Sequence, residues 1–347
     1  MIIRMLIRRM IGGLCAVLLV VIGSGCMASD KQVIQQASQF NSGLQPAEIK
    51  HPRTTQYLQQ IGDRIVAAAK QLDAEGVGPK THFQDKDRSW MFSDIHWELV
   101  NSKTVNAFTT GGHYVYIYDA LFQMCKNEDE LAAVMSHEYG HIYCRHVQKG
   151  TGRQEALAVL TVAAAGAAQY AGGTSGSSSY TQYAATAAQA GGAFVNNGFT
   201  RQDEAQADEY GFKFYTRAGW PPDHFADFFK DMIAAGYDKT PGILSDHPTL
   251  ASRVQAADKR VAALNPPQVA QWRKPEIASD PQQFNLYKQL ALQASQGMPD
   301  DQKVLAAKNL LQALPRSCWM PYEPDDEKQA QDRLIEMAKR AQGQQGQ

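Results

Sequence analysis

Apolar residues recur along this chain mostly at helical spacing. In TTQYLQQIGDRIVAAAKQL, Leu58, Ile61, Ile65 and Val66 fall on one side of an amphipathic helix. The pattern then switches period. IHWELVNS reads as a strand, and Tyr114, Tyr116 and Tyr118 alternate with Val115 and Ile117 beyond a bend at Gly111-Gly112. That places a second strand pair or hairpin after the first strand. NEDELAAVMSHEYGHIYCRHV returns to helix, with acids in its first turn where they suit the helix dipole. TRQDEAQADEYGFKFYTRAG predicts another, capped by Thr200 and stopped at Gly219-Trp220-Pro221. PPDHFADFFKDMIAAG and PTLASRVQAADKRVAAL continue the helical series. The pattern predicts an α+β fold, mainly α, with helices around a small sheet.

Between these elements the chain changes character. From Ala156 to Gly173 it is Ala-rich and nearly uncharged, then breaks at GGTSGSSSY, and a second Ala/Gly-rich piece runs to Gly198. Both pieces are short and interrupted by Gln and Tyr, so a pair of tightly packed helices is expected rather than a membrane hairpin. After NPPQ a separate helical tail follows and ends in QGQQGQ. The expected organisation is a signal peptide over 1–25, a lipid-anchor linker over 26–50, a main domain over 51–265, and a C-terminal helical segment with a disordered tail over 266–347.

Composition narrows the class. The 347 residues are 44% hydrophobic and 20% charged, with a net charge of −1. No dense Lys/Arg run occurs beyond the N-terminus, so nucleic-acid binding has no electrostatic support. Arg4, Arg8 and Arg9 precede an apolar run from Met10 to Ile22 and the small-residue stretch GSGC, the anatomy of an export signal. The run is shorter than the ~20 residues that cross a bilayer comfortably. Cys26 after Gly23-Ser24-Gly25 resembles a bacterial lipobox, although Gly23 stands where Leu is usual. A lipidated Cys26 followed by Met27, not Asp, implies an outer-membrane lipoprotein facing the periplasm. A plain secretory signal or an uncleaved anchor is the alternative. Cys125, Cys144 and Cys318 then leave at most one disulfide, and the lack of any CxxC pair excludes a thiolate zinc site.

The chemistry gathers in HEYGHIYCRH. His137 and His141 are four apart, about 40° from each other on one helical face. Two imidazoles there can bind one ion, and Glu138 lies beside them. This HExxH pattern is that of metal-assisted hydrolysis, with zinc lowering the pKa of a water and Glu138 as the base. His146 is five residues past His141, about 140° round a continuous helix, so it falls on the wrong side to be a ligand. It is expected as a packing, surface or supporting residue. The spacing HExxHxxGxxH fails too, since Cys144 and Val147 occupy the Gly and His positions.

A better third ligand lies in RQDEAQADE. Glu204 and Asp208 share a face at i, i+4, so Glu204 can reach the metal while Asp208 accepts a hydrogen bond from the outer nitrogen of a ligating histidine. On its own such a pair is a solvated acidic face, and HExxH changes that reading. Asp203 points away, and Glu209 has Lys213 at i+4 for a surface ion pair. His51, His82, His96, His113 and His224 have no partner at metal spacing and are read as packing or surface.

HEYGH followed by EAQAD resembles the HExxH…ExxxD signature of gluzincin metallopeptidases. More closely it is similar to the Ste-type family of CAAX prenyl endopeptidases, HtpX and the lipoproteins BepA and LoiP. VNAF with GGHYVYIYDALF and the downstream DHPTLASR resemble further elements of that family, although Thr110 stands where its members usually carry Pro. The resemblance spans roughly residues 56–263. It implies one zinc ion per chain on His137, His141 and Glu204, with Glu138 as base and Asp208 as orienter. It implies that His247 reaches the site from its loop, either to donate to the oxyanion or to occupy the open metal position. Arg253 would anchor that element or bind substrate, and Asn106 and Phe108 would line a cleft where an extended polypeptide adds to the strand edge.

The implied function is a zinc endopeptidase with its metallopeptidase domain over 51–265, acting on misfolded or misassembled envelope proteins. Two other classes stay open. One is a periplasmic chaperone or assembly factor for outer-membrane proteins, working with the assembly machinery and with proteolysis silenced by His247. The other is a zinc hydrolase for a cell-wall peptide.

Overall fold

The computed structural model describes residues 29–79, 87–150, 199–237 and 248–313. The first helix, α1 (Asp30–Leu44), begins at Ser29 with a capping box in which Ser29 and Gln32 satisfy each other's backbone N–H groups. The sequence reading placed these residues in a linker. They form a docked helix instead, because Val33, Ala37, Phe40 and Leu44 line up as a buried stripe. Helix α2 (Pro52–Ala74) buries Leu58, Ile61, Ile65 and Val66, the side that the spacing predicts.

The sheet has three strands, β1 (His96–Val100), β2 (Ala107–Thr109) and β3 (Tyr114–Tyr118), in the order β1-β3-β2. β2 and β3 form the antiparallel hairpin, and β1 runs parallel to β3. Alternation along β3 sends Val115 and Ile117 into the main core with Leu99 and Ala107. Tyr116 and Tyr118 point the other way, into a cluster with Phe40, Leu44 and Leu311. The sheet is therefore covered on both faces.

Helix α3 (Asp119–Met124) leads into α4 (Glu128–Tyr143), in which all 16 residues are buried. A helix enclosed on every side needs no single apolar stripe. Asn127 caps it by accepting from Glu130 N–H, and Glu128, Asp129 and Glu130 stand in its first turn. The Glu128 carboxylate accepts from Tyr57 Oη at 3.0 Å, Trp220 Nε1 at 3.0 Å, Ile277 N–H at 2.7 Å and Ala278 N–H. Those donors tie the start of α4 to three distant parts of the chain.

After α4 come α5 (His146–Gly150), α6 (Arg201–Ala218), α7 (Asp227–Ala234) and α8 (Leu250–Ala262). Thr200 caps α6, and Gly219 at φ 107° ends it, as the sequence predicts. The C-terminal helices are α9 (Pro266–Trp272), α10 (Pro281–Gln296) and α11 (Gln302–Ala313). The sequence suggested a separate tail here. Over the described residues it packs onto the body: Phe284 and Ala291 enter the main core, and Tyr118 Oη donates to Leu311 C=O at 2.9 Å. No helix among the described residues is long and apolar enough to cross a membrane.

The body is α+β and mainly α. Its functional residues are brought together where α4 and α6 cross. A Cβ on Gly140 would stand 2.8 Å from Ala207 C=O, and one on Gly211 would stand 3.0 Å from the His137 backbone. Both contacts are helix backbone, which cannot swing aside. Gly140→Ala is the test of this close approach. Better helix propensity alone would raise stability by up to ~1 kcal/mol. Overpacking costs about 1–3 kcal/mol. The urea midpoint of the metal-free protein is expected to fall, and a rise would show that the two helices tolerate a side chain there.

Candidate metal centre

His137, Glu138 and His141 on α4, and Glu204 on α6, are each at most 1% exposed. The cap at Thr200 sets the first turn of α6, where Glu204 N–H reaches Thr200 C=O at 2.9 Å. Glu204 consequently faces α4. One ligand atom from each of His137, His141 and Glu204 lies within 4.8 Å of the others, a group able to hold a metal ion. Glu204 Oε2 is 3.4 Å from His137 Nε2, and Oε1 is 3.9 Å from His141 Nε2.

Hydrogen-bond logic assigns the ring protons. Asp208 is buried, which alone would raise its pKa, but the Arg253 guanidinium and His137 outweigh burial and hold it at about 2. An ionised carboxylate only accepts, so His137 donates from Nδ1 to Asp208 Oδ1 at 2.8 Å. In its neutral form His137 then presents the lone pair of Nε2. On the other ring, Lys149 Nζ donates to Gln206 Oε1 at 3.0 Å, which marks that atom as the amide oxygen. His146 Nε2 therefore donates to it at 2.9 Å, and His146 Nδ1 accepts from His141 Nδ1 at 2.9 Å. His141 also presents a lone pair at Nε2.

Those two Nε2 atoms are 3.0 Å apart. As neutral rings in these tautomers neither carries a proton there, and a carboxylate stands beside them. Burial pushes the His141 pKa well below its usual range despite the Glu204 charge, and pushes His146 down to about 4 with help from Lys149. Two imidazoles and one carboxylate, converging in a buried site, fit a divalent cation of the zinc type. Phe199 stacks on the His141 ring with centroids 3.8 Å apart.

His146 departs from its expected position, and the reason is local. Helix α4 ends at Tyr143, and Arg145 takes a left-handed φ of 54°. The chain turns there, and His146 comes back against His141 where a continuous helix would carry it away. Arg145 is held in this costly conformation by Asp30 on α1, through Nε at 3.0 Å and Nη2 at 2.6 Å. Nothing in the sequence around Arg145 marks a left-handed residue, since it is neither Gly nor Asn.

Arg253, expected at the substrate or as an anchor, lies against Asp208. It is 2% exposed and clamps Asp208 through Nε at 2.8 Å and Nη2 at 2.6 Å, with its guanidinium 4.0 Å from the Phe229 ring centroid. Asn106 is buried just before β2, and its C=O accepts from Tyr118 N–H. Phe108 was expected to line the cleft. Its ring instead stacks on Tyr116 with centroids 4.6 Å apart, in the aromatic cluster on the sheet face opposite Ala107. Asp203, read as pointing away, completes the Thr200 capping box, and Glu209 pairs with Lys213 at 2.6 Å as predicted. Cys26, His247 and the Ala/Gly-rich residues 156–198 lie outside the described residues.

A mainly helical body that buries a two-imidazole, one-carboxylate group on two crossing helices is a scaffold for metal-dependent hydrolysis. The chain belongs to peptidase family M48, whose model matches residues 80–261, more than half its length. It is 31% identical over 221 residues to the beta-barrel assembly-enhancing protease of Escherichia coli K12, covering 63% of this chain and 41% of that protein. It is 31% identical over 169 residues to metalloprotease LoiP of the same organism, covering 49% of this chain and 64% of the relative. The mitochondrial metalloendopeptidase OMA1 of Schizosaccharomyces pombe is 25% identical over 243 residues, covering 66% and 60%. The chain thus spans well under half the length of the first of these relatives.

The clamp on Asp208 has a measurable consequence. Removing one partner of a buried ion pair costs about 3–5 kcal/mol because the other charge is left without compensation. Arg253→Met is expected to lose stability of that order in the metal-free protein, read by urea denaturation. A change under about 1 kcal/mol would mean that Asp208 is held mainly by His137.

Proposed function

We propose that the protein is a zinc endopeptidase of the bacterial cell envelope that cleaves polypeptides in extended form. The observation that carries this reading is the convergence of His137, His141 and Glu204 beside Glu138, in a chain of peptidase family M48. His137, His141 and Glu204 would hold the ion, one per chain. A zinc ion there supplies Lewis acidity, making water nucleophilic near neutral pH and polarising the scissile carbonyl. Glu138 takes the proton of the attacking water and passes it to the leaving amine. Asp208 holds the His137 ring in the tautomer that turns Nε2 inward, and Arg253 keeps Asp208 ionised.

Substrate alignment is assigned to β2. Among the described residues it pairs only with β3, and it packs beside α4. An extended peptide added to its outer edge would run past the metal group through backbone hydrogen bonds. This reading uses the edge of β2 itself, not the Phe108 ring. The names of the bacterial relatives, a beta-barrel assembly-enhancing protease and a metalloprotease, support envelope proteins as substrates. Lipidation at Cys26 would place the protein on the outer membrane facing the periplasm, in envelope protein quality control.

The test is cleavage of unfolded casein by the zinc-loaded full chain. Glu138→Gln is expected to lower turnover by about 10²–10⁴ while zinc content is kept, since only the proton transfer is lost. Glu204→Ala is expected to lose zinc. Undiminished cleavage by Glu138→Gln would overturn the assignment of the base. Hydrolysis of cell-wall peptides without cleavage of casein would replace the substrate class.

A further inference from the structure

The metal group is supported asymmetrically. One imidazole, His137, is backed by the carboxylate of Asp208, whereas the other, His141, is backed by a third histidine. His146 is 0% exposed, and its two ring nitrogens are both used, Nδ1 at 2.9 Å from His141 Nδ1 and Nε2 at 2.9 Å from Gln206 Oε1. Asp203 Oδ1 lies 3.7 Å from the same Nε2 and also favours a proton there. The orientation runs in one direction only: Lys149 fixes the amide of Gln206, Gln206 fixes the proton of His146, and His146 accepts from His141.

We propose that His146, held by Gln206, is a positioning residue that fixes the tautomer and ring orientation of His141 and thereby sets the affinity of the site for its ion. The inference rests on the proposed zinc reading and assigns a role to a histidine outside the HExxH pattern. Gln206 and Glu204 sit on the same helix, so the chain of hydrogen bonds also couples His141 of α4 to the helix that carries the carboxylate. A neutral acceptor at this position has a definite chemical meaning. Unlike Asp208, it adds no negative charge next to His141, so the ring is oriented without being made as strongly electron-donating.

The chemistry of the backing atom gives the test. The Oδ1 of an asparagine lies about where Nδ1 of histidine does and accepts in the same way, whereas leucine fills the space and accepts nothing. Zinc affinity of the full chain is measured by competition with a chromogenic chelator for wild type, His146→Asn and His146→Leu. Urea denaturation of the metal-free forms is run in parallel. Expected is a loss of about 10–100-fold in zinc affinity for leucine, with recovery to within about threefold for asparagine. Equal affinities in all three would overturn the proposal, as would an asparagine variant as weak as leucine despite normal folding. The ring ¹⁵N shifts of His141 in the metal-free wild type supply the second readout. They are expected to show the proton on Nδ1, and a proton on Nε2 would overturn the relay even if leucine fails to fold. Failure of the wild type to bind zinc would instead overturn the metal reading, leaving the tautomer readout to judge the relay.

Discussion

The structure depends on one close approach, the contact of α4 with α6 at Gly140 and Gly211. Two helices with ordinary side chains at their crossing stand about 8–10 Å apart. Here the crossing is made of backbone against backbone, since a Cβ at Gly140 would press on Ala207 C=O. That proximity puts a carboxylate from one helix 3.4 Å and 3.9 Å from two imidazoles on the other. The rest of the body serves to keep the two helices in register. Glu128 gathers four donors at the start of α4, Thr200 and Gly219 define the ends of α6, and Asp30 secures the turn at Arg145.

Burying so many polar groups is costly unless each finds a partner. The solution is two strings of hydrogen bonds that enter from opposite sides and end on the same space. Arg253 and Asp208 orient His137, while Lys149, Gln206 and His146 orient His141. Each string delivers a ring proton to the outside of its imidazole and a lone pair to the inside. Lone pairs turned inward from both rings suit a cation between them. Such a pair is stabilised by a shared cation, so folding and ion binding are coupled at this point.

Much of this was legible in the chain. HExxH names three residues, the i, i+4 spacing of Glu204 and Asp208 puts them on one helix face, and Thr200 with Gly219 brackets that helix. The apolar periods gave the small sheet and the helices, because each is a local pattern. What escaped was set by contacts distant in sequence. Residues 30–44 look like a polar linker until Val33, Ala37, Phe40 and Leu44 are given a body to bury against. His146 was misplaced because its position depends on a left-handed Arg145, stabilised from α1 by Asp30, and helical angles cannot carry across such a break. The contacts of Arg253 with Phe229 and Asp208 join elements far apart in sequence, so no local pattern announces them. Phe108 sits one residue from the core-facing Ala107, and strand alternation turns it to the aromatic side.

The central claim is that His137, His141 and Glu204 hold the ion, while His146 backs His141 and does not bind the ion itself. X-ray absorption at the zinc edge of the loaded protein measures this directly. One zinc per chain is expected, with nitrogen donors from His137 and His141 and an oxygen donor from Glu204, and with a donor set unchanged in His146→Asn. A first coordination sphere containing three imidazoles, with one lost in His146→Asn, would contradict it.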